Sequence, residues 1–212
     1  CSGLVGSEMC IRDRCHDVLP IYQNNDRAWF LTPLAKKNFL YASVLPYTEQ
    51  RHKHKTRPIF IVQGSLKRRD IHPLMSLGKK EFHYDFEIKV IGRNENRTVL
   101  DTLERIIGPD RFTFKNVLNF EDFHREFIDA HANLTVVSKR TDRMSKYYSH
   151  KLTSSINYAK AYKLTTIIDK DLQDIYELEN AIVYDTPDEF LDGFEKALHC
   201  LLYTSPSPRD RY

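Results

Sequence analysis

The sequence has no apolar run approaching the ~20 residues that a membrane-crossing helix needs. It also lacks a decisive excess of either charge. Its 32 Lys and Arg against 29 Asp and Glu leave a formal net charge of +3, which implies no particular partner. Glycine is scarce, 7 in 212 residues, and G-x-G-x-x-G, the dinucleotide-binding fingerprint, is absent. No Ser/His/Asp or Cys/His order marks a nucleophilic triad. His52 and His54 have no further ligand candidates beside them, which argues against a metal site. Cysteine is equally silent. Of 4 cysteines, Cys1, Cys10 and Cys200 fall in two anomalous ends, so only Cys15 remains and no disulfide framework can be argued. That usage fits a reducing compartment.

The ends are anomalous because of what could encode them. Leu4–Arg14 reads LVGSEMCIRDR and Cys200–Arg209 reads CLLYTSPSPR. Opposite strands of one short DNA string can encode both, the pattern of a sequencing adapter translated at each end of an assembled fragment. Residues 1–14 and 200–212 are therefore expected to be non-native and to pack on nothing. Setting them aside removes four arginines and three acids and changes the charge only from +3 to +2. The remaining stretch of about 185 residues suits one domain with an extra piece. Residues 15–57 supply that piece. Apolar clusters (Trp29, Phe30, Phe39, Leu40, Tyr41) are broken by Pro33, ended by Pro46, and followed by RHKHKTR at 51–57. This reads as the tail of a truncated N-terminal domain and a linker.

From residue 58 to 199 the pattern becomes regular. Short apolar runs recur at Ile59–Val62, Phe86–Ile91, Thr113–Leu118, Leu134–Val137, Thr165–Ile168 and Ile182–Tyr184. Runs with little alternation suit strands covered on both faces, as in a parallel sheet. Helical stripes lie between them. Val99, Leu100, Leu103, Ile106 and Ile107 form one, stopped by Gly108-Pro109; Phe120, Phe123, Phe127 and Ile128 form another. A last helix starts with Thr186 as cap, Pro187 at its first position and Glu189 closing a capping box. The predicted fold is α/β, a Rossmann-like doubly wound parallel sheet of about six strands. In such sheets ligands bind beyond the carboxyl ends of the strands.

Three of those strand ends carry candidate chemistry. The first reads Gln63-Gly64-Ser65-Leu66-Lys67-Arg68-Arg69. Gly64 permits a close backbone approach, and Arg68 and Arg69 carry the bidentate fork that suits a diphosphate. A plain surface turn is the alternative. The second strand ends in Ile91-Gly92-Arg93. The third candidate lies within Tyr147–Asp169, YYSHKLTSSINYAKAYKLTTIID. Here His150, Lys151, Thr153, Ser154 and Ser155 bring a cation and hydroxyls to a helix start, where free N–H groups and the helix dipole favour phosphate. An ordinary capped helix is the alternative. Asp169 follows a strand and could reach a sugar hydroxyl, or cap the helix Lys170–Glu179. Glu121, Asp122 and Glu126 are expected on the polar face of their helix.

The segment around His150 resembles the donor-binding segment of GT-B glycosyltransferases. In that family a His opens the loop, a Ser stands at the helix start, and a small-residue helix runs to Gly-x-Pro. His150, Ser155 and Ala159 match those places. The sequence departs at three others: Lys163 stands for the Gly, Thr165 for the Pro, and Tyr158 or Asn157 for the ribose-binding acid. The resemblance covers about Pro58–Leu198. It implies the C-terminal half of a GT-B fold, binding a nucleoside-diphosphate sugar through Gly64, Ser65, Arg68, Arg69, Gly92, Arg93, the His150–Ser155 loop and Asp169. The general base and the acceptor site are then expected in a missing N-terminal domain, so this segment by itself is expected to be inactive. No metal, cofactor or nucleic acid is implied. Two other classes stay open: a nucleotide-sugar epimerase or hydrolase of the same fold, and a non-catalytic α/β module binding polyanions through Arg51–Arg57 and Lys67–Arg69.

Overall fold

The computed structural model describes residues 57–93, 96–139, 146–148, 152–179 and 181–203. The described strands are β1 (Ile59–Gln63), β2 (Glu87–Ile91), β3 (Phe112–Lys115), β4 (Ala132–Thr135), β5 (Thr165–Asp169) and β6 (Ala181–Tyr184). They form one six-stranded sheet in the order β3-β2-β1-β4-β5-β6, and every neighbouring pair is parallel. Parallel neighbours need crossovers, and helices supply them. These are α1 (His72–Ser76), α2 (Arg97–Ile107), α3 (Phe120–Asp129), α4 (Ser154–Ala161), α5 (Lys170–Tyr176) and α6 (Pro187–Tyr203).

Burial explains the near-continuous apolar runs. One face of the sheet, through Phe60, Val62, Ile88, Val90, Leu134 and Ile167, packs under α1, α2 and α6. Ile61, Ile91 and Ile168 face the other way, towards α3, α4 and α5. With both faces covered, apolar side chains are needed at successive positions. The aromatic stripe of α6 is core: Phe194 lies 4.3 Å from Phe60 and 5.0 Å from Phe86, ring centre to ring centre. Among the described residues no helix is long and apolar enough to cross a membrane.

Two strands stop earlier than their apolar runs. β3 ends at Lys115 because its neighbour β2 turns away at Gly92, whose N–H makes the last bond, to the Lys115 carbonyl at 3.0 Å. β4 ends at Thr135, although Val136 and Val137 remain fully buried. The Val137 N–H folds back onto the Thr135 carbonyl at 2.9 Å, and the Val136 carbonyl accepts from the Asp70 N–H at 2.8 Å. Burial outlasts the ladder, and only burial leaves a mark in the sequence.

The helix signals behave as capping chemistry requires. The Asn96 and Asn119 side chains accept from Val99 and Asp122 N–H groups. Thr186 accepts from the Glu189 N–H at 3.2 Å, while the Glu189 carboxylate reaches the Asp185 N–H at 2.8 Å. One expectation fails on α3. Glu126 is buried, not on the solvated face; its carboxylate meets Lys89 Nζ of β2 at 2.9 Å and also Lys115 Nζ. The polar Lys89 within a buried strand required such a partner, because a lone buried ammonium is strongly disfavoured. Those two lysines hold the Glu126 carboxyl below its ordinary range despite its burial.

The far end of α6 corrects the terminal expectation in one part, while residues 1–56 and 204–212 lie outside the described residues. The helix continues to Tyr203, and Leu201 and Leu202 pack against the core. They extend the Phe194, Ala197, Leu198 stripe at helical spacing, so any apolar residues in that phase would be captured. A chain ending at Tyr203 is therefore expected to be more stable than one ending at His199. Two half-buried leucines represent about 2 kcal/mol, and denaturant midpoints of the two chains measure it.

A second prediction comes from α3. His124 is buried, with Nδ1 on the Tyr162 hydroxyl and the Phe120 ring 4.3 Å away. Desolvation lowers its pKa from the ordinary 6.5. The unfolded chain therefore takes up the proton first, so stability is complete above pH ~6.5 and falls as pH drops below it. Wild type should lose more stability than His124→Gln between pH 7.5 and 5, read as the shift in urea midpoint.

Candidate functional site

The site follows from where β1 and β4 part. β1 pairs with β2 over all of Ile59–Gln63, but with β4 only at Phe60 and Ile61. Beyond Ile61 the two central strands are no longer paired, and a doubly wound sheet is expected to open a crevice at such a point. It is the place where strand order reverses, and open parallel sheets bind ligands there. On its β2 side, the Gly64 N–H donates to the Ile91 carbonyl at 2.7 Å. Gly64 has φ +106° and Gly92 φ +142°, values that only glycine adopts without strain. A Cβ on Gly92 would stand 3.0 Å from the Gly64 Cα, and one on Gly64 would stand 2.7 Å from Arg69 Nη2. The close approach that these glycines permit is thus made by the protein's own groups.

Arg69 is turned inward. It is buried, and its Nε and Nη2 both donate to the Gln63 carbonyl, at 3.2 and 2.7 Å. Its guanidinium carbon also lies 5.8 Å from the centre of the Tyr147 ring. Asp70, absent from the sequence expectations, spans the same gap. Its N–H holds the Val136 carbonyl, its Oδ2 accepts from Ser138 Oγ at 2.7 Å, and its Oδ1 accepts from the His72 N–H at 3.1 Å. An Asp two residues before His72-Pro73 is a local turn signal that could have flagged it. Ser65 is half-buried in extended backbone, Arg68 falls in the 3₁₀ turn Leu66–Arg68, and Arg93 is exposed just past Gly92.

At the start of α4 the three hydroxyl residues divide their roles. Thr153 holds the cap position but makes no side-chain capping bond. Instead Thr153 Oγ1 and Ser155 Oγ pair at 2.9 Å, both residues being 1% exposed, and the Thr153 N–H donates to the Tyr176 hydroxyl at 3.1 Å. Ser154 is exposed and its Oγ accepts from Gln63 Nε2 at 3.2 Å. Gly64, Gly92 and the start of α4 therefore share the carboxyl edge. His150 and Lys151 lie outside the described residues.

Asp169 is buried and caps α5: its Oδ1 accepts from the Asp171 N–H at 3.1 Å and from the Tyr148 hydroxyl at 3.1 Å. Of the two roles that the sequence allowed it, this is the capping one. Burial raises its pKa, with the Tyr148 hydrogen bond opposing. Burial and the neighbouring Asp169 charge push the Tyr148 phenol far above its ordinary range. The same hydroxyl lies 3.0 Å from the Val137 carbonyl, its single proton shared between the two acceptors, so one phenol links the end of β4 to β5. No sequence signal singles it out. Among the described residues no group of His, Cys, Asp and Glu is placed to hold a metal ion.

Positions flanking the site explain the departures from the expected pattern. Tyr158 stacks on Phe127 at 4.9 Å and meets Phe123 edge-on at 5.0 Å, so it belongs to the α3–α4 core. Asn157 Oδ1 is buried without a hydrogen-bond partner among the described residues. Lys163, standing where glycine was expected, keeps a left-handed backbone with φ +50°. The turn geometry is retained without the residue that adopts it freely. Lys163→Gly should therefore raise stability by up to about 1 kcal/mol, visible as a higher midpoint in thermal or urea unfolding.

No protein-family model matches the sequence, and no curated relative does. Solved structures do. WaaG, a glycosyltransferase involved in lipopolysaccharide biosynthesis, aligns with a TM-score of 0.58 at 13% identity, covering 79% of this chain and 49% of its own. The lipopolysaccharide outer core galactosyltransferase WaaB gives 0.52 at 12%, covering 79% and 48%. AviGT4, a glycosyltransferase involved in avilamycin A biosynthesis, gives 0.53 at 10%, covering 84% and 57%. The chain thus spans about half the length of the enzymes it resembles. With its six parallel strands and helices on both faces, it has the doubly wound fold found in GT-B glycosyltransferases.

Proposed function

We propose that this chain is the nucleotide-sugar-binding half of a glycosyltransferase, corresponding to the C-terminal domain of a GT-B enzyme. The observation that carries the reading is the convergence at the carboxyl edge. The glycine turns at Gly64 and Gly92 and the first turn of α4 lie around the crevice between β1 and β4. A helix start offers N–H groups and a favourable dipole to a diphosphate. Ser154, the exposed hydroxyl there, adds a donor, and Arg93 on the same edge adds a cation.

In such a half the chemistry is electrostatic. As the bond between the sugar carbon and the diphosphate oxygen breaks, negative charge grows on the departing diphosphate. Fixed amides and cations stabilise that charge more than they stabilise the bound donor. The acceptor and the base that takes its proton belong to the other half. With neither in place, no nucleophile is held against the sugar carbon, and proximity contributes nothing.

The expected outcome is binding without transfer. Calorimetry of the folded 212-residue chain against common nucleoside diphosphates should give heat with at least one of them, while sugar transfer stays undetectable. Ser154→Glu places a carboxylate at the helix start. It should weaken diphosphate binding several-fold yet leave stability equal or higher, because a negative charge suits the first turn. Absence of heat with every nucleoside diphosphate, from a folded sample, would put a non-catalytic interaction module ahead of this reading.

A further inference from the structure

The arginine nearest the candidate anion site points at the protein itself. Arg69 follows the glycine turn and is 8% exposed. Two of its donors converge on the Gln63 carbonyl, the last of β1, beyond the point where β4 has left the ladder. Nη2 lies 2.7 Å from where a side chain on Gly64 would begin. The opposite side of the group approaches Tyr147, itself 5% exposed, within the β4–α4 connection. One planar group thus touches the end of β1, the glycine turn and the segment that leads into α4.

We propose that Arg69 is a positioning residue of the anion site: it holds the Gly64 turn and Tyr147 in place beside the point where β1 and β4 part and does not itself bind the anion. The inference rests on the reading of the crevice as a diphosphate site. It draws on the shape of the guanidinium more than on its charge. A planar fork can place two N–H groups on one carbonyl while its face lies against an aromatic ring, and an ammonium can do neither.

That difference separates the roles. The test uses inorganic pyrophosphate as the probe and calorimetry of the full chain, with Arg69→Lys and Arg69→Met, both checked for folding by thermal unfolding. Amide hydrogen exchange at Gly64 and Tyr147 is followed without ligand. Both variants should bind pyrophosphate roughly tenfold more weakly, as displaced binding groups do, with Arg69→Lys no better than Arg69→Met. Exchange at Gly64 and Tyr147 should accelerate in both. Near-wild-type affinity in Arg69→Lys alone would make the residue a direct ligand through its charge and overturn the proposal. Unchanged affinity in both folded variants would leave it only a structural residue and overturn it too. Failure of the wild-type chain to bind pyrophosphate would bring down the underlying reading of the site. Unchanged exchange at Gly64 and Tyr147 would bring down the role of Arg69, whatever the ligand does.

Discussion

β1 and β4 are the central strands, yet they stay paired only through Ile61 and Asn133. Past that register the backbone still carries groups that must find partners, because a buried carbonyl without a donor is heavily penalised. The β1–α1 turn supplies them. Arg69 serves the Gln63 carbonyl and the Asp70 N–H serves the Val136 carbonyl. Ser138 then adds a bond back to Asp70. The early parting of β1 and β4 is what obliges these residues to face inward. Charge near such a parting is therefore not free charge by default; part of it is already engaged in keeping the two strands apart in a fixed geometry.

The same logic governs the glycines. Gly64 and Gly92 sit at equivalent ends of neighbouring strands, and the backbone of one lies directly against the other. A side chain on Gly92 would drive into the Gly64 backbone, which cannot move without breaking its bond to Ile91. Positive φ at both positions turns the chain sharply out of the sheet. Their first duty is to let two parallel strands end side by side. Any ligand meets an edge that this contact has already shaped.

Periodicity made most of the fold legible. The apolar runs at Ile59, Phe86 and Thr165 reflect burial on both sheet faces, and burial is what a sequence records most plainly. Thr186, Pro187 and Glu189 announced α6 because capping is local chemistry within four residues. What stayed hidden depends on distant partners. α1 is only His72–Ser76, too short for a stripe to emerge. Glu126 looked like one acid in a polar face until Lys89 and Lys115, on two strands, came to meet it. Leu201 and Leu202 were set aside on the origin of their codons, but packing responds only to side-chain phase.

The candidate site was legible as a set of places more than as a set of roles. Gly64, Gly92 and Ser154 were expected at one edge, and they share it because parallel strands put all their carboxyl ends on the same side. Roles depend on which way a side chain turns. Thr153 and Ser155 carry the same hydroxyl chemistry as Ser154, yet both are buried and hydrogen-bond to each other. Asp169 has the carboxylate a sugar hydroxyl would need, and applies it to the Asp171 N–H and the Tyr148 phenol. At this edge polar side chains first satisfy the backbone and one another. The residues exposed at this edge are fewer than composition suggests, Ser154 and Arg93 among them.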